Sequence, residues 1–214
     1  MKKIIFSVMA LGLVMYSVVS IAQNVVVEEP EEVLAALEIK ETDHVSGDMN
    51  APITIVEYAS MTCGHCADFH TKYYEEVKEK LVDTGRVKFV FRPLPWDNRA
   101  LAVSMVAECA PKEDYSTYIS AFFNTHETWV RSAEFMDNIK QIARLGGMSA
   151  NDVDACIKNP DVNDIVRKGR AEAIDVVKVT GTPTFFINGH RFSGVITAGE
   201  IIDYVTQLEE KAKK

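Results

Sequence analysis

The sequence predicts an α/β fold in which a strand–helix–strand unit and a later strand–hairpin–helix unit are separated by an inserted helical domain. Three observations predict it. First, residues 53–58 and 87–91 are rich in β-branched and aromatic side chains and flank a helical apolar period, and strands joined through a helix normally pair in parallel. Second, from Trp96 to about Asn159 the apolar period is helical in successive stretches. Third, after one more helix, residues 184–192 read as two short strands around Asn188-Gly189, ahead of a closing amphipathic helix.

The 214 residues, 47% of them apolar, suffice for one domain carrying an insert. Residues 1–22 read as a signal peptide: Met1-Lys2-Lys3, an apolar run over 4–19, and small residues at Ser20 and Ala22 where a signal peptidase cuts. An uncleaved membrane anchor is the alternative, because the run is almost long enough to cross a bilayer. Either reading puts the body of the protein outside the cytoplasm. The formal net charge is −8; without residues 1–22, and so without two lysines, 21 basic face 31 acidic residues, a net charge of −10. That balance argues against nucleic acid as a partner. No internal repeat or low-complexity region is present.

Residues 23–50 form an acidic N-terminal segment and linker. Val33, Leu34, Ala36 and Leu37 fall at helical spacing behind Pro30, a favourable first-turn residue, and 42–50 is a turn-rich connector with His44, Ser46, Gly47 and Asp48. The folded domain is expected from Ala51, with residues 51–95 and 166–214 forming the sheet domain and 96–165 the helical insert. The run Ile53-Thr54-Ile55-Val56-Glu57-Tyr58 is β-branched on both faces, so it is a central strand, and Glu57 lies inside it. Phe69, Tyr73, Tyr74, Val77 and Leu81 continue as a helix, and a strand over 87–91 follows between Gly85 and Pro93. Helices are expected over 99–110, 115–124, 134–145 and 150–158, then 162–177 and 198–211. Gly146-Gly147 and Asn159-Pro160 punctuate them.

Four cysteines in an exported chain suggest disulfides. Cys63-Gly64-His65-Cys66 is a close pair where the first strand passes into a helix. A sulfur there meets free backbone N–H groups and the positive end of the helix dipole, both of which favour thiolate. Cys63 is therefore the candidate nucleophile, with His65 as a further donor to its charge. Cys66, one turn in, is the candidate resolving thiol. A zinc site of Cys63, Cys66 and His70 is the competing reading, but no second cluster stands at ligand spacing, so no metal is expected. A purely structural bond is the other, and so tight a ring staples little. Cys109 and Cys156, 47 positions apart, are the candidate structural disulfide, with two buried free thiols as the alternative. His44, His126 and His190 have no companions at ligand spacing. Tyr73, Tyr74, Phe122 and Phe123 read as core.

The strand, the Cys-x-x-Cys opening a helix, the second strand, the helical block and the Thr182-Pro183-strand-hairpin-helix ending together resemble the thioredoxin superfamily, and the helical block resembles its DsbA-like branch. The resemblance covers roughly 51–214 and implies a thioredoxin-like fold. It implies that Glu57, six residues before Cys63, is a buried acid that accepts the proton of Cys66. Burial without a partner would raise its pKa toward neutrality; a solvent-facing strand position is the alternative. Gly181-Thr182-Pro183-Thr184 resembles the cis-proline loop that faces the dithiol, where the backbone of Thr182 meets an extended substrate; a trans proline opening an edge strand is the alternative. The implied activity is oxidation of dithiols in reduced or misfolded exported proteins of the periplasm or cell envelope, with a membrane redox partner and no cofactor. Where DsbA has proline this chain has Gly64, and both Gly64-His65 and Thr182 resemble disulfide isomerases, so isomerase or reductase is the runner-up. A monomer is expected, with dimerisation through 33–40 left open. A non-catalytic binding module, its dithiol holding copper, is a third reading.

Overall fold

The computed structural model describes residues 29–213, so the expected signal peptide lies outside the described residues. In chain order the elements are α1 (Glu31–Leu37), β1 (Val45–Ser46), β2 (Ile53–Ala59), α2 (Gly64–Lys72), α3 (Tyr74–Val77), a π-helical turn (Lys78–Val82), β3 (Val87–Pro93), α4 (Asn98–Glu108), a 3₁₀ turn (Lys112–Asp114), α5 (Tyr115–Asn124), α6 (His126–Trp129), α7 (Phe135–Leu145), α8 (Ala150–Ile157), α9 (Pro160–Asp175), β4 (Thr184–Ile187), β5 (His190–Ser193) and α10 (Ala198–Ala212). Among the described residues no helix is long and apolar enough to cross a membrane.

The strands form one sheet in the order β1-β3-β2-β4-β5, with β2 and β3 parallel and the other pairs antiparallel. Because side chains alternate along a strand, β2 feeds two cores. Ile53, Ile55 and Ala59 join the larger core, with Phe69, Leu81, Phe89, Phe122, Phe123 and Trp129. Val56 and Tyr58 join the smaller one, with Val33, Leu37, Val90, Val177 and Phe186. Glu57 shares the parity of Ile55 and Ala59 and so points toward the larger core. The hairpin turns at Asn188 and Gly189, whose φ angles of 47° and 83° match the type I′ turn that the Asn-Gly pair predicts.

The insert wraps the larger core with α4 to α8. Cys109, at the end of α4, is bonded to Cys156 in α8, across a sequence separation of 47. The helix α9 runs unbroken through 165/166, so insert and sheet domain share a helix at that boundary rather than a linker. The helical period read through Leu81 is broken in the structure: Tyr73, at φ −127°, separates α2 from α3, and a wider π turn closes the run.

The N-terminal segment differs most from expectation, because folded structure begins before Ala51. Val45 and Ser46, read as connector, pair with Val90 and Phe89 at the sheet edge. α1 buries Val33, Ala36 and Leu37 against the sheet and leaves Leu34 exposed. Arg92 on β3 ties this segment down. Its buried guanidinium donates to Ala36 O (2.7 Å), Glu38 O (2.7 Å), Tyr58 Oη (2.9 Å) and both carboxylate oxygens of Asp43 (3.0 and 2.7 Å). Carbonyls left free at the end of α1 thus find a charged donor from a distant strand.

Two outcomes follow for stability. Arg92→Met leaves two carbonyls without a donor and Asp43 buried without its charge partner, held only by the backbone N–H of Lys40, and is expected to cost roughly 3–5 kcal/mol in urea denaturation; no change in midpoint would show that α1 is held by its apolar contacts alone. Replacing Cys109 and Cys156 together by alanine is expected to cost up to about 4 kcal/mol, the loop-closure value for this separation.

Candidate active site

β2 ends at Ala59, and a turn through Ser60, Met61 and Thr62 delivers Cys63 to the N-cap of α2 with an extended backbone (φ −80°, ψ 119°). Cys63 is half-buried and Cys66 fully buried. Across from them the Thr182–Pro183 peptide bond is cis, and the Cys63 thiol donates to Thr182 O at 3.4 Å. The Thr182 hydroxyl accepts from the indole N–H of Trp96 at 3.3 Å.

The two sulfurs are pushed in opposite directions. The Cys63 thiol is lowered to about 5, foremost by a hydrogen bond from Cys66, against the opposing effect of burial; the side-chain hydroxyl of Thr182 and the backbone N–H groups of Cys66 and His65 add to the lowering. The Cys66 thiol is raised well above its ordinary value by burial, by its hydrogen bond to Cys63, and by the negative charges of Glu57 and Cys63. Cys63 thus carries thiolate where Cys66 keeps its proton. His65 serves the sulfur through its backbone N–H, while its side chain is exposed at the mouth of the site.

Glu57 is fully buried, as expected, but it is not without a partner. Its Oε2 lies 2.9 Å from Nε2 of His70, also buried, on α2. His70, read in the sequence only as a possible metal ligand, is turned instead toward the acid. Both it and Trp96 were missed as site residues. For His70 a signal existed: it stands four residues after Cys66, on the same buried face of α2. Trp96 carried none, because only folding brings the segment after β3 to the proline loop. Two open grooves flank the dithiol, one lined by His65, Asp68, Tyr73 and Val195, the other by Gly64, His65, Phe123, His126 and Thr128.

A dithiol at a strand-to-helix turn, opposite a cis-proline loop and above a buried acid, defines a redox-type site on a thioredoxin-like fold. The chain matches the family model described as Thioredoxin over residues 39–206 and belongs to that family, on its DsbA-like branch. It is 30% identical to Wolbachia pipientis alpha-DsbA1, superposing with a TM-score of 0.79 over 84% of this chain and 97% of that one. Chlamydia trachomatis DsbA, 18% identical with a TM-score of 0.70 over 81% of this chain and 94% of that one, shares the fold. A Rickettsia felis protein named as a protein-disulfide oxidoreductase is 26% identical over 187 residues, 86% of this chain and 65% of that protein. The chain spans less than two thirds of the length of the curated Rickettsia relatives it matches.

Alkylation of the reduced protein at Cys63 is expected to be half-maximal near pH 5. A thiol whose pKa is depressed on folding contributes stability that is complete above its unfolded value near 9 and is lost as pH falls through about 5. Cys66, shifted upward, stays protonated across that window. The reduced form should therefore gain stability relative to the oxidised form as pH rises from 5 toward 9, measured by thermal melting of both forms. A gap independent of pH would contradict the thiolate assignment.

Proposed function

We propose that this chain is an exported thiol-disulfide oxidoreductase that introduces disulfides into reduced proteins of the cell envelope. The observation that carries the reading is the opposite displacement of the two sulfurs at one helix start. In the oxidised enzyme a substrate thiolate attacks Cys63 Sγ, forming a mixed disulfide as the Cys63–Cys66 bond breaks. Cys66 leaves as a buried thiolate and takes a proton from Glu57. The second thiolate of the substrate then attacks its own sulfur in the mixed disulfide, and Cys63 departs as the stabilised thiolate. Two electrons have passed from substrate to enzyme, and a membrane redox partner removes them. The backbone at Thr182-Pro183 stands beside Cys63, where an extended substrate segment can add to it.

A thiolate favoured at Cys63 stabilises the reduced enzyme and so makes it an oxidant. A value of about 5 lies between those of DsbA, roughly 3.5, and thioredoxin, roughly 7. Export is supported by the character of residues 1–22 and by the Cys109–Cys156 bond, which an oxidising compartment maintains. A monomer is favoured because Val33, Ala36 and Leu37 of α1 are already packed on the sheet, leaving Leu34 as the exposed apolar residue of that helix.

Isomerase action is the second reading, favoured by Gly64 between the cysteines and by Thr182 ahead of the proline. Refolding of ribonuclease separates the two. Activity on reduced ribonuclease is the expected result; rescue of scrambled but not reduced ribonuclease would transfer the assignment to isomerase. Cys66→Ser is expected to accumulate mixed disulfides through Cys63, detectable by mass, whereas Cys63→Ser forms none.

A further inference from the structure

The buried acid has an outlet on the side away from the sulfurs. Among the buried side-chain atoms without a hydrogen-bond partner are Glu57 Oε1, His70 Nδ1 and His44 Nδ1. His70, His44 and Tyr115 line a single cavity of about 10 Å³, with the hydroxyl-bearing Ser46, Ser116 and Ser120 also in its wall. That is the space one water needs, and a buried water holds its place by bonding two to four polar groups of this kind.

The order of the groups is set by packing. His70 gives Nε2 to Glu57 and stacks on Phe123 at 4.3 Å, nearly parallel, with Phe69, Tyr74 and Phe91 against its ring. With the ring so held and Nε2 spent on the acid, Nδ1 is the nitrogen left for the cavity. On the far wall the His44 ring stacks on Tyr115 at 3.7 Å and its Nε2 meets Glu108 Oε2 at 3.0 Å. Burial, then the charge of Glu108 and a hydrogen bond to its carboxylate, raises the Tyr115 hydroxyl well above its ordinary value, so it remains a neutral donor that ties the cavity wall to the His44–Glu108 pair. His44 and Glu108 reach the surface side, where they line a second cavity with Lys40, Asp43, Arg92 and Glu172.

We propose that the cavity behind His70 holds one water, and that Glu57, His70, this water and the His44–Glu108 pair form the route by which the buried dithiol exchanges protons with solvent. The proposal rests on the oxidoreductase reading for its direction. When Cys66 leaves as thiolate it takes the proton of Glu57. Glu57 regains one from Nε2 of His70, His70 takes one at Nδ1 from the water, and the water is refilled from the His44–Glu108 side. Electrons come from the substrate thiolate alone, and reoxidation sends one proton back along the same groups. Solvent need not enter past the substrate, which covers Cys63 during the reaction. His70 is thereby a positioning residue for Glu57 as well as its link to the outside.

The test is stopped-flow reduction of the full-length oxidised protein by dithiothreitol across pH 5–9, with reduction potential and Cys63 alkylation measured on each variant. Tyr115→Phe and His44→Gln are expected to slow reduction several-fold while leaving potential and alkylation midpoint as in the wild type, because a route alters rates and not equilibria. His70→Phe, which keeps the aromatic packing, is expected to slow it on the order of tenfold or more. Unaltered rates in Tyr115→Phe and His44→Gln, with urea midpoints showing both folded, would overturn the route; so would rates that change only in step with the potential. These two variants decide the matter even where His70→Phe does not fold. A wild type that dithiothreitol and glutathione cannot cycle would sink the oxidoreductase reading instead. The water is then judged on ¹⁵N-histidine spectra: a water contact at His70 Nδ1 supports it, and its absence overturns it.

Discussion

β2 is hydrogen-bonded along both edges, to β3 in parallel and to β4 in the opposite sense, and the site exists because of that double pairing. The register sets Tyr58 opposite Thr184, so the residues just before β4, Thr182 and Pro183, arrive beside those just after β2, where the dithiol begins. The same register sets Glu57 between Phe91 and Phe185 on the larger-core side. A slip of one residue would turn Glu57 toward α1 and Arg92, and would carry Thr182 away from Cys63.

On that frame the chemistry is a division of environment between two like groups. Cys63 sits at the open start of α2, among N–H donors; Cys66, one turn on, lies in an apolar core next to a negative charge. Each shift supports the other, since the Cys66 thiol donates to the sulfur that the helix start has already made acidic. On the proposed mechanism one proton must cross the interior, and it is there that the structure places buried polar pairs, with Glu57 against His70 and His44 against Glu108.

The smaller core obeys a comparable constraint. Arg92 faces the side of the sheet opposite Glu57 and is matched by Asp43, a tyrosine hydroxyl and the last carbonyls of α1. A charge in the middle of a sheet holds the N-terminal segment in place, so that a helix of only seven residues, too short to persist alone, becomes part of the fold. The two faces of one sheet thus each carry a buried ionisable group, Arg92 on one and Glu57 on the other.

Much of this protein is local and was legible in residue order. The central strand, the dithiol at its exit, the Asn188-Gly189 turn and most of the helices follow from side-chain period and turn chemistry, which act over a few residues. Cys63 as the more acidic of the two sulfurs follows as well, because a helix start acts on whatever sulfur it holds. Pairing across long stretches of chain was not legible: that Val45 and Ser46 join the sheet, that Arg92 closes α1, that Trp96 reaches Thr182, and that Glu57 has His70 as its partner. Each joins groups whose neighbours in sequence give no sign of the other. The sequence by itself determined which residues could do the chemistry; only the tertiary structure decided their partners, because burial, charge pairing and hydrogen-bond geometry are properties of what packing brings together.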